Sequence, residues 1–194
     1  MQQEVNLILV RHGQDEDNAN NILNGHRDKP LTILGRKQAK LVAKKLQDDN
    51  INIIYSSPLK RARETAEIIT KQLKSSLKVR IHPNLIERNF GVLTGKPVKN
   101  ISLYSKKLLK TDRVTYFLEA EGVENFSTLF ERAASLVNQM RKMHKGKNVL
   151  LVTHGDVGKM VRAVYHGWNW KKGLMTPYFD NTEILKLGQK DVEE

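Results

Sequence analysis

Short apolar runs alternate along the chain with longer stretches in which apolar residues recur every three or four positions. Residues 5–10 are mostly apolar and rich in β-branched side chains, a length and content that predict a buried strand ending at Arg11-His12-Gly13. A polar, Asn-rich loop follows over 14–30. Thr32 then reads as a helix N-cap, with Leu34, Leu41, Val42 and Leu46 as the apolar positions behind it. Residues 51–55 predict a second strand. Ser57-Pro58 reads as an N-cap with proline at the first helical position, and Leu59, Ala62, Ala66, Ile69 and Leu73 line one helical face. A short strand is expected over 79–82. Phe126, Leu129, Phe130, Ala133, Val137 and Met140 predict another amphipathic helix, stopped near Lys145-Gly146. Residues 149–153 form a strong strand signal that ends at His154-Gly155. A short helix to about Tyr165 and a last strand over 182–187 complete the pattern, and the polar chain beyond is expected to fray.

Strands alternating with helices predict the α/β class, as a three-layer α/β/α sandwich with a mostly parallel central sheet. No repeat, low-complexity block or Pro/Gly/Ser-rich linker interrupts the chain, so residues 1–188 are expected to form a single domain, with 189–194 as a flexible tail. The segment 91–122 breaks the alternation. It holds Lys96, Lys99, Lys106, Lys107, Lys110 and Arg113 against Asp112 alone as far as Thr115, and it is expected to be a basic insert at about 92–122, partly helical, over one end of the fold. In open α/β sheets, ligands bind outside the carboxyl ends of the strands. Three polar motifs fall at predicted strand ends: Arg11-His12-Gly13, Ser56-Ser57-Pro58 with Arg61 behind it, and His154-Gly155.

Composition narrows the chemistry. The 194 residues suffice for a real core, and 39% hydrophobic residues are too many for a disordered chain. The absence of cysteine excludes a disulfide framework, a thiolate zinc site and a cysteine nucleophile, and a cytoplasmic location is expected. No apolar run approaches the ~20 residues of a membrane span, and Met1-Gln2-Gln3-Glu4 lacks the basic start of a signal peptide, so no membrane partner is expected. The 33 Lys and Arg against 21 Asp and Glu give a net charge of +12, which favours anionic partners.

The two strand-end histidines, His12 and His154, each precede a glycine that would let backbone approach a ligand closely. Arg11 adjoins one histidine, and Arg61 sits in the first turn of a helix, whose N-terminus favours an anion. The guanidinium fork matches phosphate oxygens. If the strands are adjacent, these groups form a compact positive cup of the size and charge of a phosphoryl group. One histidine would attack phosphorus as a neutral imidazole, while the other and the arginines stabilise the transition state. Glu87 is the candidate acid for the leaving oxygen.

Five elements in order carry a resemblance. They are Leu9-Val10-Arg11-His12-Gly13-Gln14 with Asn18; Gly25, Asp28, Pro30-Leu31-Thr32 and Gly35; Ser56-Ser57-Pro58-Leu59-Lys60-Arg61-Ala62-Arg63-Glu64-Thr65-Ala66; Glu87-Arg88-Asn89-Phe90-Gly91; and Val152-Thr153-His154-Gly155. On these residues the chain resembles the histidine phosphatase superfamily, the phosphoglycerate-mutase-like fold, nearly end to end. The resemblance implies His12 as the residue that becomes phosphohistidine, and Arg11, Arg61 and His154 as the rest of the phosphate pocket. It further implies Glu87 as proton donor and then base for water, and Asn18 as a phosphate contact. Gly155 is taken as a substrate contact. The resemblance implies no metal and no organic cofactor.

Asp15-Glu16-Asp17 departs from the family pattern and puts three acids near the anion cup, which weakens phosphate binding unless they point away. Gly91 to Lys96 resembles a P-loop but is one residue short between its glycines, has Pro97 where a hydroxyl belongs and follows no strand. His26, His82, His144 and His166 show no ligand spacing and read as surface or capping residues. The expected reaction is hydrolysis of a small anionic phosphomonoester. A phosphate-transferring mutase is the alternative; such mutases carry a longer insert and tail that exclude water, and here little chain follows Leu187. A basic polyanion-binding protein on the same scaffold is a third reading, motivated by the charge. The missing nucleic-acid motif and the filled catalytic positions argue against it. Substrate choice is expected to rest on the insert and on Asp156, Lys159 and Arg162. Oligomeric state is left open.

Overall fold

The structure is a computed structural model that describes residues 4–74 and 76–188. The expectations for the first three residues and for the 189–194 tail lie outside the described residues. In chain order the elements are β1 (Asn6–Arg11), α1 (Glu16–Ala19), α2 (Ile33–Lys45), β2 (Ile53–Ser56), α3 (Lys60–Gln72), β3 (Val79–Ile81), α4 (Ile101–Tyr104), β4 (Lys107–Lys110), β5 (Thr115–Glu119), α5 (Phe126–Met143), β6 (Asn148–Thr153), α6 (Gly155–Tyr165), α7 (Trp170–Met175) and β7 (Ile184–Leu187).

Five strands form the central sheet in the order β3-β2-β6-β1-β7. β1 and β2 both pair parallel with β6, β3 pairs parallel with β2, and only β7 runs antiparallel, against β1. Side chains alternate across the sheet, as the strand period of two requires. Leu7, Leu9, Tyr55, Val149 and Leu151 enter one core with α5, α6 and α7. Ile8, Val10, Ile54, Leu150 and Val152 enter the other with α2 and α3. Two cores on opposite faces of one sheet make the expected three layers. A third, smaller core of Phe90, Leu93, Ile101 and Phe117 lies under the 91–122 segment. Among the described residues no helix is long and apolar enough to cross a membrane.

Four local expectations are corrected. Thr32 does cap α2, accepting from Gly35 N–H at 3.0 Å, but Leu34 and Leu41 face outward at 48% and 57% exposure. Val42 and Leu46 are buried as expected, and the rest of the buried face is Gly35, Ala39 and Ala43, small residues that allow close packing while adding little hydrophobic signal. Ser57 does not cap α3. That helix starts at Lys60 and its N-cap is Leu59; the Ser57 hydroxyl accepts from Leu59 N–H at 3.3 Å, ahead of the helix, and meets His154 at 2.7 Å. The basic segment contains the short α4, as expected, but also a β4–β5 hairpin that was not. Helix α7, capped by Asn169, was not anticipated either.

Candidate active site

Because β2, β6 and β1 are neighbours, their carboxyl ends bring three motifs together. His12 N–H donates to the Thr153 carbonyl at 3.0 Å and Ser57 N–H to Val152 at 3.0 Å, so the ladder continues one residue past each strand. The His12 and His154 rings lie 5.0 Å apart between centroids, tilted by 59°. Arg61, on the first turn of α3, points its Nε at both: 3.2 Å from His12 Nε2 and 3.3 Å from His154 Nδ1. Its terminal nitrogens donate to the carbonyls of Arg27 at 2.6 Å and Gly25 at 2.8 Å. Gly25 holds φ at +47°, a left-handed conformation that glycine adopts without strain. Arg61 therefore reaches the two imidazoles with a guanidinium already anchored at its far end.

These contacts fix the tautomers. A carbonyl only accepts, so His12 Nδ1 carries the proton it gives to Gly13 at 2.7 Å, and Nε2 keeps its lone pair. His154 Nδ1 accepts from Arg61, so its Nε2–H donates to Ser57 Oγ at 2.7 Å. Burial, and then the Arg61 charge, holds both histidines well below the usual imidazole range, and they are neutral at pH 7. Arg11 ends β1 and donates to Tyr178 Oη at 2.8 Å and the Phe179 carbonyl at 2.7 Å. Its Nε is buried without a hydrogen bond among the described residues, a costly state for a charged donor that an entering anion would relieve.

A cavity of about 620 Å³ opens beside this cluster, with Arg11, Asn18, Glu87 and Gly155 in its wall. His12, Arg61 and His154 are not part of that wall; they are 1%, 0% and 0% exposed. Glu87 follows a 3-10 turn at Pro83–Leu85 and is 5% exposed. Burial, and then the charge of Asp156, push its carboxyl up to about 7. The two glycines differ. A Cβ on Gly155 would meet nothing closer than the Arg11 guanidinium at 3.9 Å, so this position is open to a ligand. A Cβ on Gly13 would lie 2.5 Å from the Gly35 carbonyl, and one on Gly35 2.1 Å from the Gln14 carbonyl. Gly13 thus serves backbone contact between the loop after β1 and the first turn of α2.

The three acids after this loop each have a partner. Asp15 caps α1 by accepting from Asn18 N–H at 2.7 Å, accepts from Asn24 at 2.7 Å, and lies 3.3 Å from Arg61 Nε with both side chains fully covered. Asp17 binds Arg27 at 2.8 Å, and Glu16 lies 3.2 Å from Lys29. The resemblance seen in the motifs is matched by profile comparison, in which the histidine phosphatase superfamily (branch 1) covers residues 7–193.

The chain belongs to the histidine phosphatase superfamily.

It is an enzyme, a phosphatase of the histidine phosphatase type. It is 33% identical over 163 residues to a phosphoglycerate mutase-like protein 4 of Arabidopsis thaliana, which is 82% of this chain and 69% of that protein. It is 34% identical over 169 residues to a metal-independent phosphoserine phosphatase of the same plant, 82% of this chain and 66% of that protein. Among solved structures, a phosphoserine phosphatase of Entamoeba histolytica in complex with 3-phosphoglyceric acid superposes with a TM-score of 0.77 at 26% identity, covering 94% of this chain and 89% of that one.

Around the superfamily residues stand side chains that motif reading missed. Ser57 holds His154, and its place at a strand end was the available signal. Asn181 donates to the His12 carbonyl at 2.9 Å and to Asn18 Oδ1 at 3.1 Å, from a loop with no local pattern. Thr65 accepts from Gly13 N–H at 3.0 Å while donating to the Arg61 carbonyl at 2.7 Å. Arg88, stacked 4.2 Å from both Phe117 and Phe126, holds Asp156 at 2.7 Å. His26 is at the surface as expected and sits 2.6 Å from the Glu87 carbonyl, and His144 is the C-cap of α5, buried and 3.0 Å from Tyr55 Oη.

Proposed function

We propose that this chain is a metal-independent phosphomonoester hydrolase that works through a phosphohistidine on His12. The observation that carries the reading is the His12 hydrogen bond to Gly13, which leaves a neutral Nε2 lone pair beside Arg61 and His154. In the first step Nε2 attacks phosphorus and the ester P–O bond breaks. Glu87, protonated up to about pH 7, gives its proton to the leaving oxygen. In the second step water attacks phosphorus, the Glu87 carboxylate takes its proton, and the N–P bond breaks to return neutral His12 and inorganic phosphate. Arg11 and Arg61 supply the positive charge for the equatorial oxygens, with neutral His154 beside them, so neither step calls on a metal.

Hydrolysis rather than transfer is favoured by the cavity, which reaches Glu87 and Gly155 and so lets water approach the phosphoryl end. The mutase-like relative keeps phosphate exchange between hydroxyls as the second reading. Of the six basic residues of the 91–122 segment, Lys99, Lys110 and Arg113 line the cavity, and Asp180 already occupies Arg113. Lys99 and Lys110 support a substrate with a second negative group.

The test is phosphate release from a panel of monoesters in EDTA by wild type and His12→Ala. Turnover that falls by at least about 10³-fold in the variant, with an acid-labile phosphoryl group trapped on His12 in the wild type, supports hydrolysis through His12. Turnover that survives the substitution removes the reading, and phosphoglycerate exchange without net release favours the mutase.

A further inference from the structure

The cavity is larger than its phosphoryl end requires. Its volume of about 620 Å³ falls within the ~300–1,000 Å³ of sites that enclose drug-sized molecules. Arg11, Asn18, Glu87 and Gly155 account for the end beside the histidines. Much of the remaining wall comes from three other segments: Ile22 and Leu23 after α1, Val98 and Ile101 at the entry to α4, and Leu108 and Val114 in the β4–β5 hairpin.

Ile101 belongs to the third core, and Leu23 and Leu108 pack against that core from above. Yet Val98 remains 43% exposed, and Ile22, Leu23, Leu108 and Val114 are only half-buried. Scattered apolar exposure is ordinary in a folded protein. Here the half-covered side chains come from three separate segments and line one cavity, the pattern that marks a ligand groove. A three-carbon phosphoacid would leave this wall against water and gain nothing from it. An apolar body would displace that water, while Ser102, Thr115 and Lys110 set its orientation.

We infer that the substrate is a phosphomonoester whose alcohol part carries an apolar body longer than three carbons, seated on Ile22, Leu23, Val98, Ile101, Leu108 and Val114. This deepens the phosphatase reading above and rests on it.

Ethyl, butyl and hexyl phosphate share one kind of leaving alkoxide and differ in apolar length, so chemistry is held constant across the series. kcat/KM, followed by phosphate release, is expected to rise about threefold per methylene and so about eightyfold from ethyl to hexyl. Val98→Asp, at an exposed position that tolerates the change, is expected to cut the hexyl-to-ethyl ratio to below about five, and Leu108→Ser to lower it as well. A ratio near one in wild type, with phosphate still released, overturns the inference and leaves the phosphatase reading standing. A steep ratio that Val98→Asp and Leu108→Ser both leave intact also overturns it, because the apolar contact then lies elsewhere. If no member is turned over, the phosphatase reading fails, and calorimetric binding of ethyl- and hexylphosphonate decides the inference by itself. Tighter binding of the hexyl compound that Val98→Asp abolishes supports it, and equal affinities overturn it.

Discussion

The strand ends and the 91–122 segment meet at one cavity and are built in opposite ways. At the strand ends, charged groups are covered and braced: Arg61 makes contact with two imidazoles, one carboxylate and two carbonyls at 0% exposure. Across the cavity, Lys99, Lys110 and Val98 are exposed and Ile22, Leu23, Leu108 and Val114 half-buried, on short turns and a two-stranded hairpin. A rigid scaffold can hold reacting groups in place while a looser wall accepts changes of side chain at little cost in stability. The difference assigns chemistry to the first region and selectivity to the second.

That division breaks most sharply at Arg61. Arg61→Ala leaves the buried Asp15 without its counter-charge, held only by Asn18 and Asn24, and is expected to cost about 3–5 kcal/mol of stability along with activity. Denaturant unfolding of the single variants and the Arg61→Ala/Asp15→Asn pair checks this, since the double variant should be more stable than Arg61→Ala alone. Glu87→Gln is expected to slow turnover of alkyl phosphates by about 10²–10⁴-fold and 4-nitrophenyl phosphate much less, because a nitrophenolate leaves without a proton.

The same residue sets a pH window. Its folded pKa of about 7 lies above its ordinary value of 4.5, so the protonated donor is lost as pH rises through 7, and kcat/KM should fall there in wild type but not in Glu87→Gln. On stability the sign is the same. The raised pKa favours the folded state below pH 4.5, and that contribution, about 3 kcal/mol, is gone above pH 7. Glu87→Gln should therefore unfold at higher temperature than wild type at pH 8, with the gap closing toward pH 5.

Ser57→Ala removes the acceptor of a buried imidazole N–H, at about 1–3 kcal/mol, and is expected to lower kcat by about 10–100-fold. Smallest of all, Lys99→Ala and Lys110→Ala should raise KM by less than about tenfold for a substrate with a second anionic group and leave singly charged esters alone. A large kcat effect from either lysine would erase the division between the two regions.

What was legible beforehand follows the same line. Arg11, His12, Arg61 and His154 sit in motifs tied to strand ends and a helix start, where local pattern and position in the sheet agree, whereas Glu87 was marked only by its Glu87-Arg88-Asn89-Phe90-Gly91 motif. Ser57 looked like a cap because Ser-Pro before a helical run is a cap signature, and only the neighbouring strand shows that its hydroxyl belongs to His154. Asn181 reaches His12 across 169 positions of chain, which no local pattern records. The hairpin was hidden because Lys107-Leu108-Leu109-Lys110 does not alternate, and its strand state depends on packing over Phe90 and Phe117. In α2 the small residues that pack are weaker markers than the leucines that do not.

The single Arg61 N–H between two ring nitrogens has a consequence for ligand binding itself. Two neutral acceptors share one donor, so the pair holds fewer protons than free imidazoles would near pH 6. A phosphate dianion entering beside them makes an imidazolium favourable again, and binding must draw a proton from solution. The apparent binding enthalpy measured calorimetrically near pH 6 should then vary with the ionisation heat of the buffer, with a slope that reports the protons taken up and that shrinks in His154→Gln.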